Sequence, residues 1–349
     1  MITYAYVGCR TTKERNARGL GIEIYHIDDE TGKWEHLYTI GDLINPSYLS
    51  FDNEKEFLYT VHGDFSEVSS FSVDHLTGNL TFLNRVSTGG INPVFLTPDK
   101  TNSYMIVANL QTGTVVSLPR NEDGSLGNVK DKFIITGEKE GDVSHPHQTM
   151  FDNTQKYLLV PAQGRHAGIS KTTVLSFDSN SGSFSEKYIL QTRELAEARH
   201  VAFHPNNRFL YLVNEKDNTV CFHIFDEQTG IMEPKQILST LPETYTGNGQ
   251  ASGIVVSHDG KYLYVSNRKH DSIAIYKINT RTGMLKSIGW SSTLGNTPRF
   301  ITIDPTGQIL YVANEDSDTI IPFSIQPDGR LIHTGQIIET GSPVCIIFS

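Results

Sequence analysis

The stretch ARHVAFHPNNRFLYLVNE, residues 198–215, contains two short apolar runs separated by a polar turn. Branched and aromatic residues fill both runs, which are short enough to be β-strands. The turn, HPNN at 204–207, has the proline and asparagine chemistry that connects strands in a hairpin. A hairpin returns the end of its second strand to the start of its first. We therefore expect Arg199 and Glu215 to be neighbours in space.

The same pattern recurs along the chain. Five further copies are recognisable, at residues 45–62, 92–109, 145–162, 251–267 and 298–314. A second alternating hairpin follows each copy, and a glycine marks its turn. The seven turn glycines are Gly32, Gly78, Gly124, Gly182, Gly230, Gly283 and Gly329. Four-stranded units at this spacing predict an all-β fold, a seven-bladed β-propeller with antiparallel strands in each blade.

Only six complete first hairpins accompany the seven glycine turns. An isolated strand pattern at residues 342–348 and two strand patterns at 4–9 and 20–28 supply the missing unit. Joining the two ends of the chain would close the ring with one composite blade and leave no open sheet edge. The sequence thus predicts a single domain over residues 1–349.

Composition narrows the function classes. A formal net charge of −10 argues against nucleic acid or an acidic membrane surface as a partner. Three widely spaced cysteines, Cys9, Cys221 and Cys345, do not suggest a disulfide framework. No basic segment followed by an apolar one opens the chain, and no apolar run approaches the ~18 residues of a membrane helix. These features predict a cytoplasmic protein.

The propeller topology gathers one end of every first strand and the loops between blades on a common face, called the upper face. The long insertions, at residues 10–19, 128–143, 163–171 and 240–250, are all expected there. Short turns such as HPNN are expected on the opposite, lower face. Loops on a rigid scaffold commonly form binding sites, so we expect the functional site on the upper face.

Aligning the repeats gives two columns of residues at the upper rim. The first-strand column is Ser47, Val94, His147, Arg199, Ser252, Arg299 and Val344. The second strands end mostly in asparagine, at Asn109, Asn214, Asn267 and Asn314, which indicates a structural side chain bonding its own turn. The next residue varies between units: Gly63, Leu110, Gln163, Glu215, Arg268 and Glu315. Variation within a repeat is expected of a site built on a scaffold.

Four consecutive blades therefore place a charged group beside the axis, composed of His145, His147, Arg199, Glu215, Arg268, Arg299 and Glu315. One such residue alone would more simply be a surface charge or a weak exposed ion pair. Three arginines on one rim predict a positive funnel for a small anion. A metal held by the histidines and Glu215 is a weaker alternative, since only one histidine is expected to enter the channel. Cys345 fits the core better than a nucleophilic role.

At these residues the chain resembles the seven-bladed propeller lactonase family, which includes bacterial 6-phosphogluconolactonases and fungal carboxymuconate cyclases. The matching motifs are YVG at 6–8, SHPH at 144–147, ARHVAFHP at 198–205, LVNE at 212–215, YVSNR at 264–268 and the terminal SPVCIIF. The resemblance implies an active site of His147 (or His145), Arg199, Glu215 and Arg268. The chain departs from the family at Gly141-Asp142-Val143, Glu197-Ala198 and the loop 162–171, which concerns the substrate more than the catalytic group.

We therefore expect hydrolysis of a small anionic sugar lactone, without a metal or cofactor. Glu215 or His147 would take a proton from water, and Arg199 and Arg268 would stabilise the oxyanion. Arg299 and His145 would hold a phosphate or carboxylate, and Glu315 and Gln163 complete the predicted substrate contacts. The alternatives are a carboxymuconate-type cycloisomerase, which forms a lactone without adding water, and a non-catalytic scaffold for a protein partner.

Overall fold

The computed structural model of the protein describes residues 3–165 and 168–349, and over these residues the chain forms seven antiparallel sheets. Each sheet is one blade, and its four strands follow one another outward from the central axis. The predicted seven-bladed propeller is confirmed. Apolar side chains packed between neighbouring blades form the core, in clusters such as Tyr211, Phe222, Leu263 and Tyr276.

The strands of the first three blades are as follows, from the axis outward. Blade one contains Pro46–Phe51, Phe57–His62, Glu67–Val73 and Leu80–Ser87, and blade two contains Pro93–Pro98, Tyr104–Asn109, Thr114–Pro119 and Asp131–Ile134. Blade three contains His145–Pro146 and Met150–Phe151 as an interrupted inner strand, then Tyr157–Gln163, Lys171–Asp178 and Ser183–Gln191.

Blades four to six follow the same order. Blade four contains Ala198–Phe203, Phe209–Asn214, Thr219–Phe225 and Met232–Ser239, and blade five contains Gln250–Val256, Tyr262–Arg268, Ser272–Ile278 and Leu285–Ser292. Blade six contains Pro298–Ile303, Ile309–Asn314, Thr319–Ile325 and an outer strand divided into Leu331–His333 and Ile338–Glu339. Two short 3-10 helices, Lys13–Arg15 and Glu315–Ser317, lie in upper-face loops.

Blade seven joins the two ends of the chain. Its inner strand is Pro343–Phe348, and Thr3–Cys9, Ile22–Ile27 and Trp34–Ile40 follow outward. The C-terminal strand pairs antiparallel with the N-terminal one, with Val7 opposite Ile346. The predicted composite blade is confirmed, and it closes the ring by backbone hydrogen bonds.

One predicted insertion was wrong in part. Residues 131–134, inside the predicted loop 128–143, form the outer strand of blade two. This strand is only four residues long, so its periodicity is too brief to recognise from sequence. The predicted loop 163–171 includes His166 and Ala167, which lie outside the described residues.

The inner strands share a β-bulge near the upper face. In blades one, two, four, five and six the pairing register shifts around the first-strand column, for example between Ala198 and His200. Blade seven has a corresponding shift opposite Val344, and in blade three the inner strand is interrupted at the column residue, His147. A bulge leaves one residue unpaired and changes the direction of its side chain. The ring thereby directs this column toward the axis.

The remaining general predictions concern cysteines and membranes. All three cysteines are free and buried, in agreement with the absence of a disulfide framework. Burial raises the pKa of the Cys345 thiol to about 12, which suits a core residue and not a nucleophile. Among the described residues, no helix has the length and apolar character needed to span a bilayer.

Candidate active site

A small chamber with both charged and apolar walls lies on the axis below the upper face. It has a volume of about 20 Å³, and its charged and imidazole groups come from Arg10, His147, Arg199, His200 and Arg299. Such a volume holds about one water molecule. Six of the seven bulge or break positions line it, and four of these six carry polar or charged side chains on separate blades: Ser47, His147, Arg199 and Arg299. The bulges therefore bring residues distant in sequence to one point.

Glu215 is the centre of the charged cluster above this chamber. Its Oε2 lies 3.1 Å from Arg199 Nε, and its Oε1 lies 3.1 Å from Arg268 Nη2. Two amides complete the shell, because Gln163 donates to Oε2 at 2.9 Å and Gln250 donates to Oε1 at 2.7 Å. Each carboxylate oxygen thus accepts one amide hydrogen bond and lies in ion-pair contact with one guanidinium group.

These contacts fix the charge state of Glu215. Burial alone would raise its pKa, but Arg268, Arg199 and Arg299 outweigh burial and lower the pKa to about 2. The carboxylate is therefore ionised at any physiological pH. It is also a weak base, because an efficient general base has a pKa near the working pH. Glu215 is better suited to hold the two arginines than to abstract a proton.

Arg199 is held from three sides. Its Nη1 donates to the Ser252 carbonyl at 2.8 Å and also lies 3.2 Å from Nδ1 of His200, while Nε faces Glu215. Only 3% of its side chain is exposed. The guanidinium is therefore fixed in orientation, as electrostatic catalysis requires of a charge that stabilises a transition state.

His200 and His147 form a pair whose tautomers are set by Arg199. An arginine can only donate, so Nδ1 of His200 accepts and the His200 proton resides on Nε2. That nitrogen lies 3.2 Å from Nδ1 of His147, which must then be the acceptor, and the His147 proton resides on its Nε2. Burial, followed by Arg199, lowers the pKa of both imidazoles, so both are neutral at pH 7. His147 therefore presents an N–H donor and has no open lone pair.

A second ion cluster lies on the other side of the chamber. Glu315 forms an ion pair with Arg10, with Nε 3.1 Å from Oε1, and faces Arg299 Nη1 at 3.7 Å. Arg10 also approaches Asp64 at 3.4 Å, and Asp64 pairs with Arg15. The charge of Asp64 is balanced by Arg15. The described cluster then contains four arginines (Arg10, Arg199, Arg268 and Arg299) and two glutamates, Glu215 and Glu315. The cluster around the chamber therefore carries an excess of about two positive charges, in a protein whose formal net charge is −10.

A larger pocket opens beside Glu215 between blades three, four and five. Its volume is about 400 Å³, and its lining includes Gln163, Arg165, Glu215, Lys216 and Lys269. Pockets of about 300–1,000 Å³ are typical of small-molecule sites. Glu215 belongs to this pocket, and Arg199, which pairs with it, belongs to the axial chamber. The two spaces therefore meet at the Arg199–Glu215 pair.

Most of the predicted residues are brought together. His147, Arg199, Glu215, Arg268 and Gln163 are linked through the contacts above, and Arg299 and Glu315 form the second cluster. His145 is separated from them, since its Nδ1 pairs with the Leu110 carbonyl of blade two at 2.9 Å. The interruption of the inner strand after Pro146 explains why two histidines two positions apart face different ways.

The metal alternative and the predicted role of the asparagines can also be compared with the structure. No group of three or more His, Cys, Asp or Glu side chains in the described ranges could hold a metal ion. The asparagine column is structural as predicted. The side-chain amide of each asparagine donates to a hydroxyl five residues later, as Asn214 does to Thr219 at 2.9 Å.

Sequence reasoning missed Arg10, His200, Gln250 and the basic residues of the larger pocket. Arg10 follows Cys9 in the second strand of the composite blade, so it occupies the position of Glu215 in blade four. Extending the column to the seventh blade would have identified it. Gln250 is directly opposite Arg268 in the strand register. This pairing could not be read from the irregular loop before it.

The match to known proteins extends over nearly the whole chain. Residues 4–348 match the family described as lactonase, 7-bladed beta-propeller. The chain belongs to this family. The predicted family and the predicted lactonase activity are therefore confirmed, and the cycloisomerase and scaffold alternatives are not favoured.

Relatives and solved structures are consistent with that assignment. The lactonase is 29% identical over 334 residues to a 6-phosphogluconolactonase of Bacillus subtilis, with 94% of each chain covered. It is 29% identical to a 6-phosphogluconolactonase of Formosa agariphila, with 95% of this chain and 94% of the relative covered. The structure of a periplasmic gluconolactonase from Pseudomonas aeruginosa superposes with a TM-score of 0.90 at 25% identity, covering 100% of this chain and 99% of that one.

Proposed function

We propose that this lactonase hydrolyses a phosphorylated sugar lactone of the 6-phosphogluconolactone type. The observation that carries the proposal is the excess of about two positive charges in the arginine–glutamate cluster, which adjoins a pocket of sugar-phosphate size at Glu215. A phosphate monoester carries about −1.5 to −2 charges at pH 7. Relatives named 6-phosphogluconolactonase support the same substrate.

The proposed chemistry is addition of water to the lactone carbonyl. The water oxygen bonds to the carbonyl carbon, the ring C–O bond breaks, and the water proton is transferred to the ring oxygen that leaves. Arg199 and Arg268 stabilise the negative charge that develops on the carbonyl oxygen. Glu215 holds both guanidinium groups in place, and the mechanism does not require it to accept the proton that passes from water to the leaving ring oxygen.

His147 acts as a hydrogen-bond donor and not as the general base that the sequence suggested as one possibility. In the tautomer fixed by Arg199 and His200 it donates a hydrogen bond from Nε2, which suits a developing oxyanion or the leaving ring oxygen. Because Glu215 is a weak base, we assign most of the rate enhancement to preorganised positive charge and little to proton transfer. This assignment predicts that catalysis depends chiefly on the geometry of Arg199 and Arg268.

The substrate is tested by parallel assays of freshly prepared 6-phosphogluconolactone, unphosphorylated aldonolactones and carboxymuconate. We expect kcat/KM to be highest for the phosphorylated lactone, with no cyclisation of carboxymuconate. Equal kcat/KM for phosphorylated and unphosphorylated lactones would contradict the proposed phosphate recognition. Conversion of carboxymuconate without lactone hydrolysis would overturn the proposed reaction.

Phosphate recognition makes a further prediction about Lys216 and Lys269, exposed residues at the rim of the larger pocket. Replacing both by glutamine should lower kcat/KM for the phosphorylated lactone about tenfold or more, because a charged hydrogen bond contributes ~1.5–3 kcal/mol. The unphosphorylated lactone should be affected less than threefold. Lys261→Gln, exposed on the lower face, is the matched control, and an equal loss for both substrates would contradict the role.

The pH dependence of kcat follows from the same geometry. Glu215 stays ionised down to its pKa of about 2, and His147 stays neutral below its ordinary pKa of 6.5. We therefore expect kcat to change less than threefold between pH 7 and pH 5. A decline centred near pH 6.5 would show that His147 titrates as an ordinary histidine and must lose a proton to act.

A further inference from the structure

The seams between blades repeat one contact on the lower face. The glycine of the outer turn in one blade packs against an aromatic ring at the start of the second strand in the preceding blade. The six pairs are Gly78 with Tyr4, Gly124 with Phe57, Gly182 with Tyr104, Gly230 with Tyr157, Gly283 with Phe209 and Gly329 with Tyr262. A methyl group added to any of these glycines would lie within 2.9 Å of a ring atom of its partner. The rings therefore leave no room for a side chain at these six glycines.

The seventh seam, between blades six and seven, lacks this ring. Ile309 occupies the position of the aromatic residue at the start of its strand. The turn glycine of blade seven is Gly32, and a methyl group added there would meet nothing within 4 Å. A cavity of about 430 Å³ lies at this position, with Gly32, Trp34, Ile309, Tyr311 and Gln336 in its wall. The repeat thus identifies a missing side chain.

The other seams also show which chemical group is missing. In three of them the ring is a tyrosine whose hydroxyl donates to the carbonyl two residues before the glycine. The pairs are Tyr4 with Leu76 at 2.7 Å, Tyr157 with Gln228 at 2.6 Å, and Tyr262 with Pro327 at 2.9 Å. The equivalent carbonyl in the seventh seam belongs to Glu30. A ring with a hydroxyl opposite its point of attachment would reproduce the contact.

The walls of the cavity differ from the other seams in a second way. Tyrosines equivalent to Tyr311 donate to the carbonyl of the turn glycine, as Tyr211 does to Gly283 at 2.9 Å and Tyr264 does to Gly329 at 3.0 Å. The Tyr311 hydroxyl instead accepts from Trp34 Nε1 at 3.2 Å, and the two rings are 5.0 Å apart. Trp34 and Tyr311 therefore form an aromatic wall, which favours offset or edge contacts with another ring.

We propose that this seam is a second binding site, which takes a small phenolic ring in the place of the missing tyrosine. Trp34, Ile309 and Tyr311 form the apolar part of the cavity wall against which the ring would pack, and Thr31, Lys33, Thr334 and Gln336 form its polar part. The site lies among the lower-face turns, at the opposite end of the blades from Arg199 and Glu215. It is therefore independent of the lactone site, and its occupation requires none of the residues assigned to hydrolysis.

The test uses 4-methylphenol as the probe and toluene as the match that lacks the hydroxyl. We expect 4-methylphenol to raise the Tm of the lactonase in proportion to the logarithm of its concentration above Kd, and toluene to bind at least threefold more weakly. Ile309→Tyr should restore the ring within the chain, raise the Tm without ligand, and remove the response to 4-methylphenol. Ile309→Val is the control, and it should keep that response.

Binding is also measured directly, by the fluorine NMR linewidth of 4-fluorophenol and its recovery on adding 4-methylphenol. Ile309→Phe provides a second filled variant if the tyrosine does not fold, and lactonase activity reports folding for each. The proposal is overturned if the wild-type protein neither broadens 4-fluorophenol nor responds to 4-methylphenol. It is also overturned if a folded Ile309→Tyr or Ile309→Phe variant binds the probe as well as the wild type does.

Discussion

Arg199→Lys is expected to lower kcat/KM for lactone hydrolysis about 10²- to 10³-fold, the usual cost of losing one donor to a developing oxyanion. Lysine keeps the charge but cannot contact Glu215, His200 and the Ser252 carbonyl together, as the guanidinium of Arg199 does. The loss should fall mainly on kcat, because the arginine acts on charge that develops in the transition state. Steady-state kinetics with the phosphorylated lactone measure it.

The control for this variant is Arg281→Lys, an exposed arginine in a lower-face turn. It makes the same chemical change away from the site and should leave kcat/KM unaltered. The Tm of both variants separates a catalytic loss from unfolding. Lactonase activity within threefold of wild type in a folded Arg199→Lys variant would remove Arg199 from the proposed mechanism.

The fold could be predicted because its signals are local and repeated. Each blade carries the same turn residues, and the glycines of those turns adopt positive φ, 72° at Gly182 and 76° at Gly230, a conformation that favours glycine. Seven copies make the pattern visible even where one copy is divided between the chain ends. The number of blades and the face that bears the site then follow from connectivity alone.

The site could be predicted only in part, because its residues depend on bulges. On a regular strand, neighbours such as Arg199 and His200 point to opposite faces, so His200 was not expected at the axis. The register shift between Ala198 and His200 changes the local direction of the chain, and both side chains line the axial chamber. A bulge is set by pairing across the sheet, and one strand's sequence does not specify it.

The charge state of Glu215 could likewise not be predicted from the sequence. Its pKa depends on Arg268 and Arg199, which come from two blades, and on how deeply the carboxylate is buried. Sequence reasoning gave the residue types and predicted their proximity. It could not show that the side-chain amides of Gln163 and Gln250 also donate to the carboxylate. With these contacts Glu215 holds the two arginines in place and does not act as the base.

Glu215→Gln should lower the free energy of unfolding by about 3 kcal/mol at pH 7. The pKa of Glu215 falls from its ordinary 4.5 to about 2 in the folded protein, and each unit corresponds to about 1.36 kcal/mol. Because the folded pKa is depressed, this contribution is complete above pH 5 and is lost as the pH falls from about 5 to 2. The activity of the variant should fall about 10²-fold or more, because Arg199 and Arg268 lose their common anchor.

Urea unfolding of wild type and Glu215→Gln between pH 7 and pH 3 measures the difference in their free energies of unfolding. Glu243→Gln is the control, because Glu243 is exposed on the same face. The difference between wild type and Glu215→Gln should be largest at pH 7 and should shrink steadily below pH 5, whereas Glu243→Gln should follow the wild type throughout. A difference that is independent of pH would mean that the glutamine variant is destabilised by packing and not by loss of the ionised carboxylate. Full activity in the variant would show that the arginines keep their positions without Glu215, and the anchoring role would then be wrong.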